Sequence, residues 1–197
     1  MSIRIAIFDD NKNIRNSIVM LLKTVPEFEV VGNFSDAWNC VQKVTTCNPD
    51  IILMDIEMPG INGIEAVTLV KKEVPDVLVI IQTVFEDEDR IFDSLKAGAS
   101  GYILKNRLNQ TLRDVIYEIK TGSSTMTPWV AGKILSMNCK VKNRKNQPDF
   151  KGYLTPRDIE ILTYIVDGTS YKMIAANLEI SEESVRGRVV NIYKSCR

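Results

Sequence analysis

Four short apolar runs, each closed by a side chain able to do chemistry, constrain this chain more than any other feature. Residues 3–8 (IRIAIF) run into Asp9-Asp10, and residues 51–54 (IILM) run into Asp55. Residues 77–82 (VLVIIQ) run into Thr83, and residues 101–104 (GYIL) into Lys105. Apolar runs of this length, bounded by turn residues, read as strands buried on both faces. Such strands belong to parallel sheets clothed by helices, and open parallel sheets place their ligands at the carboxyl ends of their strands. Carboxylates, a hydroxyl and an ammonium are thus delivered to one rim. An isolated Asp at a strand end can be no more than a turn cap, but four such strands in succession do not reduce to that.

The intervening segments carry a helical period. Apolar side chains recur at 14, 18, 21, 22 and 25 within a segment that opens at Asn11 and is closed by Pro26. Asp10 is expected to cap that helix. Residues 28–34 read as a second strand, and Ser35 as the cap of a helix reaching about Cys47. Asn48-Pro49 turns into the central strand and Pro59-Gly60 turns out of it. Gly63 opens a helix with Ile64, Val67 and Val70 on one face, near 63–73, and further helices follow near 86–97 and 109–121. Five strand–helix alternations predict an α/β fold, a doubly wound parallel sheet with right-handed crossovers.

Beyond residue 121 the pattern changes. Residues 122–127 are small and polar and read as a hinge. Residues 128–136 read as one short helix with Pro128 at its first position. Residues 138–151 carry Lys140, Lys142, Arg144, Lys145 and Lys151 with little apolar content, and read as a mobile basic linker. From Leu154 the helical signals return. Thr155-Pro156-Arg157-Asp158 is a helix start, Ile159, Leu162, Ile165 and Val166 make its buried stripe, and Gly168 stops it. Ser170 caps a second helix over 171–178, and Ser181 a third from Glu182 to about Ser195. Short helices joined by a tight turn are the helix-turn-helix layout of a small all-α domain. The division is therefore 1–121, a linker with a short helix over 122–152, and 153–197.

Charge follows this division. Net charge is zero, yet residues 1–121 hold 13 Lys/Arg against 18 Asp/Glu, and residues 122–197 hold 12 against 7. An acidic domain joined to a basic one suggests that the second meets a polyanion. The chain has no histidine, which excludes His-based general base catalysis, His metal ligands and phosphohistidine on this chain. Cys40, Cys47, Cys139 and Cys196 show neither a C-x-x-C pair nor zinc spacing, as expected of thiols in a reducing cytoplasm. No apolar run approaches a membrane span and no signal peptide precedes the first strand, so a soluble cytoplasmic protein is expected.

The strand-end constellation, with the segment Met54-Asp-Ile-Glu-Met-Pro-Gly-x-x-Gly63, resembles the receiver domain of two-component response regulators over residues 1 to about 121. The resemblance implies a flavodoxin-like (βα)5 fold with strand order 2-1-3-4-5, its switch point lying between strands 1 and 3. It implies that Asp55 is the phosphoacceptor, charged by a sensor histidine kinase. It implies Mg²⁺ bound by Asp10 and Asp55 directly, by the backbone carbonyl of Glu57, and by Asp9 through water. The physical reason is that three close carboxylates repel one another, and a hard divalent cation relieves this while leaving room for a phosphoryl oxygen. Lys105 then neutralises charge on the transferring group, Thr83 donates its hydroxyl to a phosphoryl oxygen, and Tyr102 is the switch aromatic that turns inward with it. Val84 stands where the family carries a small residue, and its bulk is expected to narrow the approach for water and phosphodonors.

Leu154-Thr-Pro-Arg-Asp158, Gly168-x-Ser-x-Lys-x-Ile-Ala175 and Ile180-Ser-x-x-Ser-Val-Arg186 are similar to the LuxR/FixJ-type output domain of the NarL-like regulators. That resemblance implies binding to double-stranded DNA, with the third helix in the major groove. Arg186 is placed to read a guanine, and Lys172, Ser184, Arg188 and Lys194 to contact phosphates. Two residues depart from the pattern: Gly187 offers no side chain to a base, and Val190 replaces a basic or polar residue. The family's fourth output helix, which pairs two such domains, is not seen before Arg197: either the sequence is truncated or dimerisation lies elsewhere, and in the second case the receivers are expected to supply a phosphorylation-dependent homodimer.

Two other readings compete. A receiver could act through protein contacts with a degenerate helix-turn-helix. Asp55-x-Glu57 also resembles the Asp-x-Asp of haloacid-dehalogenase-type phosphatases, although these need an Asp at the second position. Under the first reading the chain is not an enzyme beyond catalysing its own phosphorylation and dephosphorylation.

Overall fold

The computed structural model describes residues 2–84, 88–120, 126, 128–143 and 154–195. Five strands, β1 (Ile3–Phe8), β2 (Phe28–Phe34), β3 (Ile51–Asp55), β4 (Leu78–Thr83) and β5 (Gly101–Leu104), form one sheet in the order β2-β1-β3-β4-β5. Every pairing is parallel. Around it lie α1 (Lys12–Lys23), α2 (Cys40–Cys47), α3 (Gly63–Glu73), α4 (Glu88–Ala97) and α5 (Leu108–Lys120), the last entered through a 3₁₀ turn at Lys105–Arg107. The expected doubly wound, flavodoxin-like sheet is present.

Strand alternation builds two cores. Ile5, Ile7, Ile51, Leu53 and Ile80 point to one face, where Ile18 and Leu22 of α1 and Leu112 and Ile116 of α5 cover them. Ala6, Phe8, Ile52, Met54 and Ile81 point to the other, against Val67 and Val70 of α3 and Ile91 and Leu95 of α4. All five residues of β3 are buried, as a central strand covered on both faces must be. Helix starts follow capping chemistry. Asn62 accepts from the Glu65 N–H to open α3, and Asn11 accepts from the N–H groups of Asn13 and Ile14 to open α1.

Two expected caps are corrected. Asn11, not Asp10, caps α1. Ser35 does not cap α2, because its hydroxyl bonds Asp36, Asp36 accepts from the Trp38 N–H, and the chain stays in a loop until Cys40. Asn39 precedes that helix in a left-handed conformation without a side-chain cap.

The second half contains α6 (Pro128–Asn143), α7 (Pro156–Val166), α8 (Tyr171–Asn177) and α9 (Glu182–Ser195). The short helix expected over 128–136 is a 16-residue helix that reaches Asn143, inside the segment expected to be a basic linker, whose remaining residues lie outside the described ones. The reason is packing: Val130, Ala131 and Ile134 are buried, and α6 lies along α7. The hinge at 122–127 lies, except for Met126, outside the described residues. α7 opens with the expected capping box between Thr155 and Asp158 and with Pro156 at its first position. Its buried stripe is Ile161, Leu162 and Ile165, whereas Ile159 is only half-buried and Val166 is exposed. No helix among the described residues is long and apolar enough to cross a membrane.

Candidate functional site

The sheet register brings the predicted rim together. Phe8 pairs with Met54, and Asp55 pairs with Gln82, so Asp9, Asp55 and Gln82 lie level at the carboxyl edge of three adjacent strands. Lys105 follows β5 and reaches back across them. Its Nζ is 2.7 Å from Asp9 Oδ2 and 2.7 Å from Asp55 Oδ2. Asp9, Asp55 and Thr83 are buried, whereas Asp10 is exposed. Carboxylate oxygens of Asp9, Asp10 and Asp55 come within 4.8 Å of one another. That donor set fits a small hard cation: oxygen ligands only, net negative charge, and one exposed member, Asp10.

Burial is the main influence on Asp55 and pushes its carboxyl up to about 6, against the pull of the Lys105 hydrogen bond and charge. Burial alone would lower the Lys105 ammonium, but its bonds to Asp55 and Asp9 outweigh this and hold it above the ordinary value. One ammonium thus serves two buried carboxylates. Asp9 is held further by accepting the Asn11 N–H at 2.9 Å on its other oxygen.

The loop after β3 shows why the Pro-Gly-x-x-Gly spacing is needed. A Cβ on Gly63 would lie 1.8 Å from the Asp55 carbonyl oxygen, so only glycine lets α3 start against the backbone of that residue. Gly60 adopts φ +84°, and the Trp38 indole lies against it. Arg90 of α4 binds the Glu57 carboxylate at 3.0 Å. This leaves the Glu57 side chain turned to α4 and engaged there. A groove of about 900 Å³ opens beside the rim, bounded by Asp10, Glu57, Asn62, Arg90 and Lys96.

Tyr102 is 3% exposed, so its ring is held inside the protein in this form, and Val84 is 64% exposed. One residue was missed. Gln82 is fully buried, its Nε2 lies 3.4 Å from Asp9 Oδ2, and its Oε1 has no hydrogen-bond partner. A polar residue closing an otherwise apolar run was the available signal.

Comparison with known proteins gives the same outline. Residues 5–117 match the response regulator receiver domain, and residues 153–195 match the bacterial regulatory proteins of the luxR family. The chain belongs to the LuxR-type response regulators. The transcriptional regulatory protein DegU of Brevibacillus brevis is 36% identical over 98% of this chain and 86% of its own. LiaR of Bacillus subtilis is 33% identical over 96% of this chain and 89% of its own. Among solved structures, a LuxR-family two-component response regulator from Aurantimonas superposes with a TM-score of 0.66 at 28% identity, over 71% of this chain and 99% of its own. The RcsB–DNA complex shares the fold, with a TM-score of 0.64 at 19% identity over 100% of this chain and 92% of its own. This response regulator therefore joins a receiver to a DNA-binding domain and is a transcription factor, not an enzyme of the phosphatase class.

In the output half of this response regulator, Arg186, Arg188 and Ser184, expected to contact DNA, are engaged within the protein. Arg186 pairs with Glu182 one turn earlier and lies over the Tyr171 ring, 5.5 Å from its centroid. The Tyr171 hydroxyl accepts the Met126 N–H at 3.2 Å, and burial pushes this phenol up to about 12. Glu118 of the receiver helix α5 sits close enough for Arg186 to act on it, although burial dominates and leaves its carboxyl raised. A cavity of about 320 Å³ between Glu118, Met126, Tyr171 and Arg186 marks this junction. Arg188 pairs with Asp158 at 3.1 Å and so ties α9 to the capping box of α7. The Ser184 and Ser181 hydroxyls share a hydrogen bond at 2.8 Å. Lys172 stands exposed at the start of α8, and the Lys194 side chain lies outside the described residues.

Proposed function

We propose that this response regulator accepts a phosphoryl group on Asp55 from the phosphohistidine of a sensor kinase, and that the phosphorylated form binds double-stranded DNA to regulate transcription from the cytoplasm. The observation that carries the reading is the buried Asp55 carboxylate, 2.7 Å from Lys105 and beside Asp9 and the exposed Asp10. An Asp55 oxygen attacks phosphorus, the phosphorus–nitrogen bond of the donor breaks, and an acyl phosphate forms on Asp55. Lys105 supplies positive charge to the phosphoryl oxygens, and the Thr83 hydroxyl donates to one of them. Asp10, Asp55 and the Glu57 backbone carbonyl would hold Mg²⁺ directly, with Asp9 acting through water. When bound, Mg²⁺ neutralises charge on the transferring group. Tyr102, buried on β5 next to β4, is the aromatic through which this change would reach the α4–β5–α5 face.

For the output domain we place α9 in the major groove, with Arg186 toward the bases and Lys172, Ser184, Arg188 and Lys194 along the phosphates. Arg186 is held against Tyr171 near Glu118, which fits a resting form from which α9 must be released. A phosphorylation-dependent homodimer would set two α9 helices on half-sites about one DNA turn apart. A second reading, regulation through protein contacts alone, draws on Gly187: nothing lies within 4 Å of a Cβ placed there, so no steric need explains a bare position on α9. Salt-dependent retention on DNA separates the two.

The test is labelling. Asp55→Asn and Asp55→Ala should abolish hydroxylamine-labile phosphate from a kinase or a small phosphodonor. Full labelling of Asp55→Ala, mapped to Ser or Thr, would show that the acceptor lies elsewhere.

A further inference from the structure

We propose that Gln82 is a positioning residue of the phosphoacceptor site: its Nε2 fixes the Asp9 carboxylate, and its Oε1 accepts a hydrogen bond from water ordered around the cation bound by Asp9, Asp10 and Asp55. This rests on the reading of that cluster as a divalent cation site. Gln82 is the last residue of β4 before Thr83, and it is fully buried between Asp55 on β3 and Ile103 on β5, its register partners. Its neighbours along the strand, Val79, Ile80 and Ile81, are all apolar and buried. An aliphatic side chain would suit the packing, so the amide must be explained by what it touches.

It touches Asp9. The Asp9 Oδ2 atom lies 3.4 Å from Gln82 Nε2 and 2.7 Å from Lys105 Nζ, while Oδ1 accepts the Asn11 N–H at 2.9 Å. The amide orientation follows from this contact, since the reverse would set two acceptors against each other. Lys105 is shared with Asp55, and approach of a phosphoryl group draws it toward that group. Gln82 is the neutral donor that stays with Asp9 when Lys105 is so engaged. The remaining amide oxygen is, among the described residues, the one buried side-chain nitrogen or oxygen without a hydrogen-bond partner. Buried acceptors in proteins are satisfied by protein or by water, and this one lies beside the cluster that collects a hydrated cation.

The experiment uses full-length protein with Gln82→Met, which keeps the length of the side chain, and Gln82→Leu. Mn²⁺ affinity is read from free Mn²⁺ by electron paramagnetic resonance, and thermal melting is followed in EDTA. Both variants should bind Mn²⁺ about tenfold more weakly, as loss of an outer-shell partner does. Both should melt in EDTA at or above the wild-type temperature, since an unpaired acceptor has been removed from the core. Wild-type Mn²⁺ affinity in both variants overturns the proposal. So does weaker binding accompanied by a lower melting temperature in EDTA for both, which would make Gln82 a support of the fold. Asp10→Ala is the control: if it binds Mn²⁺ as tightly as wild type, the cation reading itself has failed and the role of Gln82 falls with it.

Discussion

Burial pushes the Asp55 carboxyl up to about 6 even though Lys105, shared with Asp9, pulls it down. Because the folded-state value is raised above the unfolded one, near 3.8, the native state binds this proton more tightly. The stability from Asp55 is therefore full below pH 3.8 and is lost as pH rises through about 6. In EDTA, Asp55→Asn should melt above wild type at about pH 7.5, and the gain should shrink toward about pH 4. A gain constant across that range would contradict this. Two glycines give opposite expectations. Gly63→Ala drives a methyl into the Asp55 carbonyl and should cost about 1–3 kcal/mol in denaturant unfolding. Gly187→Ala, in open space within α9, should stabilise by about 0.5–1 kcal/mol. Equal effects of the two would refute the steric account of Gly63. The placement of Asp9, Asp55, Thr83 and Lys105 at one rim was legible because each closes an apolar run. Gln82 was not, because a polar residue ending such a run is indistinguishable from a strand boundary. The Arg188–Asp158 pair joins residues 30 positions apart, and no local pattern announces it.

At the scale of elements, periodicity placed all five strands and the receiver helices, because β3 is hydrophobic on both faces and α3 and α5 on one. The starts of helices were harder to read. Asn and Asp cap about equally well, so choosing between Asp10 and Asn11 needed the geometry that commits Asp9 to the Asn11 N–H. α6 was cut short because its Lys-rich end reads as linker, yet Lys and Arg are good helix formers, and one buried face is enough to hold the helix against α7. That packing is testable. Ile134→Ala, at a buried position on α6, should destabilise the output half by about 2–5 kcal/mol in denaturant unfolding followed by helicity. A loss below about 0.5 kcal/mol, the size of ordinary surface substitutions, would return α6 to the status of a tether.

The whole molecule couples an acidic receiver to a basic output domain, and their junction holds Glu118, Tyr171 and Arg186 together. On the proposed reading Arg186 leaves Tyr171 to reach a base, so a signal at Asp55 favours the form in which α9 is free, and it can shift that balance only by the difference in its affinity for the two forms. The most direct measurement is retention of full-length protein on promoter DNA at fixed salt, with and without beryllofluoride and Mg²⁺, for wild type and Asp55→Asn. Beryllofluoride should tighten retention of wild type and leave Asp55→Asn unchanged. Equal tightening of both proteins, or of neither, would contradict control of DNA binding through Asp55.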